Sequence, residues 1–164
     1  MASGDLPDHG QGLGQEPGGA ADVGGDFFDL FEVQDERMIV IGDVSGKGVE
    51  AAATTALVRH VVRVAARSAE SGNRIVTVNQ AILEDSPGEQ FCTLAWAALE
   101  PARDDGVVAG RVACAGHPPP FVVRAGGDVE LLAATGTLLG FFPDIASQSV
   151  PVELAPGDAI VLFT

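Results

Sequence analysis

The sequence has few basic residues and no long apolar segment, and both shortages restrict what the protein can bind. Nine Lys and Arg stand against 23 Asp and Glu in 164 residues, a formal net charge of −14 with His neutral. Nucleic-acid phosphates and anionic lipid surfaces repel such a chain, so we expect neither as a partner. No apolar run approaches the roughly 18 residues of a membrane-spanning helix, and the acidic N-terminus lacks the apolar segment of a signal peptide. We therefore expect a cytoplasmic protein.

Cysteine is also scarce. Cys92 and Cys114 are the only two, and neither has a second cysteine two or three positions away, as metal-binding pairs do. Both fall in strand-like segments, which predicts buried thiols in a reducing compartment.

Apolar residues make up 46% of the chain, a normal fraction for a globular protein, and the length suffices for one domain with a real core. Residues 1–21 depart from this composition, because they are rich in Gly, Pro and Asp and contain almost no large apolar side chain. We predict a disordered lead-in or linker remnant over residues 1–21 and a domain over residues 22–164.

Two short apolar segments, residues 27–33 and 38–41, flank a polar break. Their aromatic and β-branched side chains predict the two strands of a hairpin. With Gln34 and the residue after it at the centre of the turn, Asp26 falls opposite Asp43. Directly opposed residues of an antiparallel pair have Cβ atoms roughly 4.5–5.5 Å apart. Two carboxylates there repel each other unless a cation lies between or beside them.

This pair of acids has two interpretations. Either residue alone is equally well explained as a turn residue beside glycine, a position that Asp favours. Their mirrored placement favours a divalent-cation site, because both acids then end one apolar face that borders the core. Oxygen ligands select hard cations such as Mg²⁺ or Mn²⁺. Such ions make water nucleophilic near neutral pH, which suits hydrolysis of phosphate esters. The residues predicted to share that face are Asp26, Phe28, Leu30, Ile39, Ile41 and Asp43.

A nucleotide-binding P-loop is a competing interpretation of GDVSGKG at residues 42–48. The spacing disagrees, because three residues separate Gly42 from the Gly-Lys pair where the P-loop has four. Gly48 also stands where the P-loop has a magnesium-binding Ser or Thr. We therefore do not favour a P-loop.

Several motifs, in order, resemble the SpoIIE-like phosphatases, which are bacterial members of the PPM-type (type 2C) metal-dependent protein serine/threonine phosphatases. They are VGGDFFD (residues 23–29), GDVSGKGV (42–49), FCTL (91–94), AGHPPPF (115–121), LGFFPD (139–144) and PGDAIVLFT (156–164). The resemblance covers the predicted domain, residues 22–164.

The resemblance implies an α/β fold, a PPM-type α-β-β-α sandwich with mainly antiparallel sheets. It also implies that Asp26 and Asp43 are metal ligands that act catalytically through a metal-bound water, with the backbone carbonyl of Val44 as a third ligand. The intact family domain holds two Mn²⁺ or Mg²⁺ ions. Two further acidic ligands of the family are not found before the sequence ends at Thr164, so we expect an incomplete C-terminal part and one weak ion site.

The implied function is hydrolysis of phosphoserine or phosphothreonine in a regulatory protein, such as an anti-anti-sigma factor in a bacterial stress response. An upstream sensory domain would be a further partner. The alternative is a truncated or degenerate, inactive module that binds a signalling partner. An open sheet edge at Thr164 also predicts pairing between two copies of the chain as a homodimer.

Beyond the hairpin, apolar periodicity predicts helices over residues 49–69 and 74–83. We predict that His60 lies on the buried side of the first helix as a packed core residue. A solvated stripe is predicted for Thr55, Arg59, Arg63 and Arg67. Short turns then predict an antiparallel meander, with strands at residues 91–99, 107–114, 121–124, 129–132 and 159–163.

Two polar residues of the motifs stay open. His117, in a proline-rich turn, is either a packed structural residue, which we favour, or a general acid or phosphate contact. For Thr93 the sequence allows both cross-strand packing and contact with a substrate.

Overall fold

Three layers make up the part of the chain that the structure, a computed structural model, describes, namely residues 24–67, 71–85 and 89–164. The predicted lead-in at residues 1–21 lies outside these ranges. In chain order the elements are β1 (Gly24–Val33), β2 (Glu36–Lys47), α1 (Val49–Ala65), α2 (Ser71–Asp85), β3 (Cys92–Leu99), β4 (Val108–Ala115), β5 (Phe121–Val123), β6 (Val129–Leu131), β7 (Thr135–Gly136), β8 (Ser147–Leu154) and β9 (Ala159–Val161).

The larger sheet has six strands in the order β1-β2-β3-β4-β8-β7, and its strand pairs are antiparallel. Of the strands predicted as a meander, β3 and β4 are neighbours in this sheet. The chain then alternates between two sheets, because β5, β6 and β9 form a second antiparallel sheet in the order β6-β5-β9. The predicted single meander over β3, β4, β5, β6 and β9 is therefore wrong, and only its pairs β3–β4 and β5–β6 form as predicted.

Strand β8 is missing from the sequence prediction, and Pro151 explains why. Proline lowers the strand signal of a segment because it cannot donate to a ladder, and it is confined to edge positions. In β8, Pro151 pairs with Arg111 of β4. The short strand β7 pairs with β8 only at Ser147 and Gln148, so Pro151 faces no further strand of this sheet.

Helices α1 and α2 cover one face of the larger sheet. Val58 of α1 and Ile75 and Ile82 of α2 are at most 1% exposed, and they share a core with Met38 and Trp96 of the sheet. Burying an aliphatic side chain of this size is worth about 1.5–3 kcal/mol, so this helix layer is a major source of stability.

The second sheet covers the opposite face. Ala95 and Ala97 of β3 are fully buried there and share a core with Val122 of β5. The alternate residues Leu94 and Trp96 point into the core on the helix side. Because both faces of β3 are buried, its sequence is an almost continuous apolar run.

These layers confirm the predicted fold class, α/β with mainly antiparallel sheets. Within the described ranges, the layers are a helix pair, the larger sheet and the second sheet. None of the helices in those ranges combines the length and the apolar character that crossing a membrane would need.

Helix α1 buries a different face from the predicted one. The buried residues are Ala51, Thr54, Val58, Val62 and Ala65. His60 is exposed, so its prediction as a packed core residue is wrong. Ala and Val occur on all sides of this helix, so apolar periodicity does not distinguish its faces. The ion pair between Arg63 and the buried Asp29 of β1 helps to set the orientation instead.

Candidate functional site

The β1–β2 hairpin places two acids side by side at its open end. Asp26 pairs with Asp43, Phe28 with Ile41 and Leu30 with Ile39, which confirms the predicted register. A two-residue turn sets this register, and a one-residue slip would move every side chain to the other face. The register shifts between Gly24 and Asp26, so an irregularity in β1 lies directly beside the acids.

The apolar face that these acids end is only partly buried. Ile39 and Ile41 pack against the core between the sheets, whereas Phe28 is 76% and Leu30 60% exposed. The prediction that this whole face borders the core is therefore wrong for β1. The reason is position: β1 is an edge strand of the larger sheet, and the described part of the second sheet does not cover it.

Gly25 brings a backbone oxygen to the same place. A Cβ atom built on Gly25 would lie 1.7 Å from the Val44 carbonyl oxygen and 2.9 Å from Asp43 Oδ1. No side chain fits there, so glycine is required for this close approach. The three predicted ligands, Asp26, Asp43 and the Val44 carbonyl, are thus gathered around the start of β1.

The surroundings of the two acids make it harder for Asp43 to ionise. Partial desolvation, and then the charge of Asp26, raise the pKa of Asp43 above its usual range. A nearby cation would favour the ionised form of both carboxylates. In the described residues no three His, Cys, Asp or Glu side chains gather as a metal-binding group. The donors that fit a cation here are therefore two carboxylates and a carbonyl, an oxygen-only set suited to a hard ion.

Two further residues lie beside the acids, and the sequence did not point to the first. The Thr164 hydroxyl donates to Asp26 Oδ1 at 2.9 Å, across a sequence separation of 138 residues. Thr93 of β3 pairs with Asp43 on the other side. The Thr164 contact joins two distant parts of the chain, so no local sequence pattern signals it.

His117 lies beside this group and uses both ring nitrogens. Nδ1 is 2.9 Å from Thr93 Oγ1, and Nε2 is 2.9 Å from the Phe163 carbonyl oxygen. The ring is 7% exposed, and burial lowers the pKa of His117 below its ordinary value. These contacts favour the structural interpretation of His117 over direct contact with a phosphate.

The family model for Stage II sporulation protein E (SpoIIE) matches residues 34–164. The chain belongs to the SpoIIE family. This agrees with the resemblance of its motifs to SpoIIE-like PPM phosphatase domains.

Relatives of this SpoIIE-family chain include Protein IcfG of Synechocystis sp. (strain ATCC 27184 / PCC 6803 / Kazusa), 26% identical over 88% of this chain and 27% of its own length. Phosphoserine phosphatase RsbP of Bacillus subtilis (strain 168) is 24% identical over 88% of this chain and 36% of its own length. The solved RsbU and RsbW domains of Rv1364c from Mycobacterium tuberculosis match with a TM-score of 0.69 and 29% identity, covering 84% of this chain and 38% of that one. The chain spans less than half the length of the curated relatives it matches.

The SpoIIE-family fold also decides against the P-loop. Residues 42–47 belong to strand β2, in which Gly42, Asp43 and Val44 pair with β3 and Lys47 pairs with β1. A P-loop instead needs a loop between strand and helix whose N–H groups surround phosphates.

Proposed function

We propose that this chain carries a metal-dependent protein serine/threonine phosphatase site, in which Asp26 and Asp43 bind a Mg²⁺ or Mn²⁺ ion together with the carbonyl oxygen of Val44. The observation that carries this proposal is the cross-strand pairing of the two acids, with the Val44 oxygen held against Gly25. In the family such residues act on the reaction through the bound ion.

A bound divalent ion would supply positive charge and an activated water for attack on a phosphate ester. The residues of this chain contribute the binding geometry. Asp26 and Asp43 are held by neighbouring strands, and Thr164 donates to Asp26. With two carboxylates and one carbonyl, we expect one weakly held ion, whereas the resemblance implies two for the family domain.

The proposed substrate is a phosphoserine or phosphothreonine of a regulatory protein, of the anti-anti-sigma type in sigma-factor regulation. The similarity to a protein named phosphoserine phosphatase supports this substrate class. Because the chain spans only part of its relatives, an upstream sensory domain as a regulatory partner and a cytoplasmic location in a stress response belong to the same proposal.

The alternative is an inactive phosphatase-like module that binds a signalling partner. In the described residues this site contains two carboxylates rather than a larger acidic cluster, which is the observation in its favour. The two functions differ in turnover and agree in metal binding.

Thermal unfolding with and without Mn²⁺ tests the metal site. A ligand that binds only the native state stabilises it, by about 2.7 kcal/mol at a hundred times its Kd. We expect millimolar Mn²⁺ to raise the melting temperature of the wild type and to leave that of Asp43→Asn unchanged, because the amide removes the charge. Asp35→Asn, in the exposed turn of the same hairpin, is the matched control and should respond like the wild type. An equal response of Asp43→Asn would show that the site is assigned to the wrong residues.

Turnover of p-nitrophenyl phosphate and of a phosphoserine peptide decides between the two functions. A phosphatase with one weak ion site should be slow and should need millimolar Mn²⁺. Metal binding without turnover at any Mn²⁺ concentration would establish the inactive module instead.

A further inference from the structure

The side chains around the two acids form a row across three strands. Asp26 of β1 pairs with Asp43 of β2, and Asp43 pairs with Thr93 of β3. Residues paired in an antiparallel sheet point to the same face, with Cβ atoms about 4.5–5.5 Å apart. This face is the one that packs against the second sheet, since Ile41 and Ala95, two residues along the same strands, belong to that core.

Residues just outside the strands of the second sheet reach both ends of this row. Beyond β9, the Thr164 hydroxyl donates to Asp26 at one end, and His117 contacts Thr93 at the other. The same His117 ring contacts the carbonyl of Phe163, the residue before Thr164. Strand pairing, hydrogen bonds and the peptide bond between Phe163 and Thr164 thus connect the six residues in a closed ring.

The chemistry of these partners fixes the direction of each hydrogen bond. A carbonyl oxygen only accepts, so Nε2 of His117 must carry the proton and donate to Phe163. In a neutral ring Nδ1 is then an acceptor, and the Thr93 hydroxyl donates to it. The proton of Thr93 is therefore committed to His117, and the lone pairs of Thr93 Oγ1 remain as acceptors beside Asp43.

We propose that His117 is a positioning residue for the Asp26–Asp43 cation site, acting through Thr93 on one side and through the Phe163–Thr164 segment on the other. This inference rests on the proposed function. Residues in the outer shell of a metal site orient the ligands, and their loss typically costs about 10- to 100-fold in metal affinity.

Two amide substitutions separate the two contacts of His117, one with Thr93 and one with Phe163. In His117→Asn the side-chain oxygen can replace Nδ1 as the acceptor for Thr93, but the amide does not reach Phe163. In His117→Gln the amide can replace Nε2 as the donor to Phe163. We expect each variant to retain one contact and to bind Mn²⁺ more weakly than wild type, and His117→Ala to bind it at least about tenfold more weakly.

Variants of Thr93 and Thr164 test the same two connections independently. Thr164→Val removes the donor to Asp26. Both Thr164→Val and His117→Asn break the path from His117 through Phe163 to Asp26. The variant carrying both substitutions should therefore lose less Mn²⁺ affinity than the sum of the two single losses. Thr93→Ser retains the hydroxyl and should bind Mn²⁺ like the wild type, whereas Thr93→Val should not. His60→Gln changes an exposed histidine on α1 and serves as the control.

The measurements are the Kd for Mn²⁺ by calorimetry and the melting temperature in EDTA. A merely structural His117 would lower the melting temperature of the apo protein and leave the Kd of the folded protein unchanged, and that result would overturn the inference. Nitrogen-15 spectra of the His117 ring should show the Nε2–H tautomer at neutral pH, and an Nδ1–H tautomer would also overturn it. If His117→Ala does not fold, the Thr93 and Thr164 variants decide by the same criterion. If the wild type itself does not bind Mn²⁺, the proposed function fails and this inference fails with it, whereas wild-type binding with an unchanged Kd in these variants refutes the inference alone.

Discussion

A Cβ atom on Gly25 would lie 1.7 Å from the carbonyl oxygen of Val44 and 2.7 Å from its carbonyl carbon. The obstacle is backbone within a paired strand, which cannot rotate away as a side chain can. The site therefore depends on glycine, which has no side chain, at position 25 next to Asp26.

We expect Gly25→Ala to lower the free energy of unfolding by about 1–3 kcal/mol, the usual cost of overpacking. It should also weaken Mn²⁺ binding, because β1 must move away from Val44. Gly126→Ala is the control, since a Cβ there would meet nothing within 4 Å. Urea denaturation of both variants measures the effect, and equal unfolding midpoints would contradict the close approach at Gly25.

The two cysteines confirm the prediction that both are buried. Both are free and buried. Burial raises the pKa of Cys114 to about 11, and burial and the charge of Asp43 raise that of Cys92. Thiolate is the nucleophilic form of cysteine and the form that binds metal, so these thiols act as core residues at neutral pH.

At the scale of elements, an ion pair joins the hairpin to helix α1. Arg63 donates to both carboxylate oxygens of Asp29 at 2.7 Å, and its guanidinium carbon lies 4.7 Å from the centre of the Phe31 ring. Asp29 is 7% exposed, so it needs this partner. The hydrogen bond from Arg63 is the main reason that the pKa of Asp29 is lowered.

This pair predicts a defined pH dependence. A carboxyl whose pKa is lowered by folding stabilises the native state above its unfolded pKa, ordinarily 3.8 for Asp, and this stabilisation is lost as pH falls through the folded pKa. We expect Arg63→Gln to lower the urea midpoint at pH 7 and the difference from wild type to shrink as pH falls below about 4. Arg37→Gln, which breaks an exposed pair with Glu32, should have little effect at any pH. A constant difference across the pH series would contradict the assignment to Asp29.

At the scale of the whole molecule, an unpaired edge of the second sheet lies near β1 of the larger sheet. In the described residues β9 pairs with β5 on one side only. Thr164, just beyond β9, contacts Asp26, and Phe28 stands exposed two residues further along β1. An unpaired strand edge next to exposed apolar side chains favours association between chains.

We therefore expect this chain to form dimers at high concentration, measured by sedimentation. Phe28→Lys should weaken the association, because it places a charge on the exposed apolar face. Phe141→Lys is the control, since Phe141 is similarly exposed, at 55%, but its loop is attached to α2 through Asn79, which binds Gly140 and Phe142. Equal dissociation constants for both variants would rule out the face near Phe28.

The sequence by itself determined the hairpin register, the two helices, most strands and the family motifs. These features depend on local rules: a two-residue turn sets which residues are opposed, and aromatic or β-branched runs favour strands. Asp26 could therefore be placed opposite Asp43 before any tertiary contact was known.

Only the tertiary structure decided which face of α1 is buried and that Phe28 is exposed. It also decided that Thr164 contacts Asp26 and that His117 contacts Thr93, the neighbour of Asp43 in the sheet. Each of these depends on how two sheets and a helix layer stack, and residues far apart in sequence leave no periodic signal of their meeting. An alanine- and valine-rich helix presents several faces of similar apolarity, so its orientation is set by partners such as Asp29 on another element.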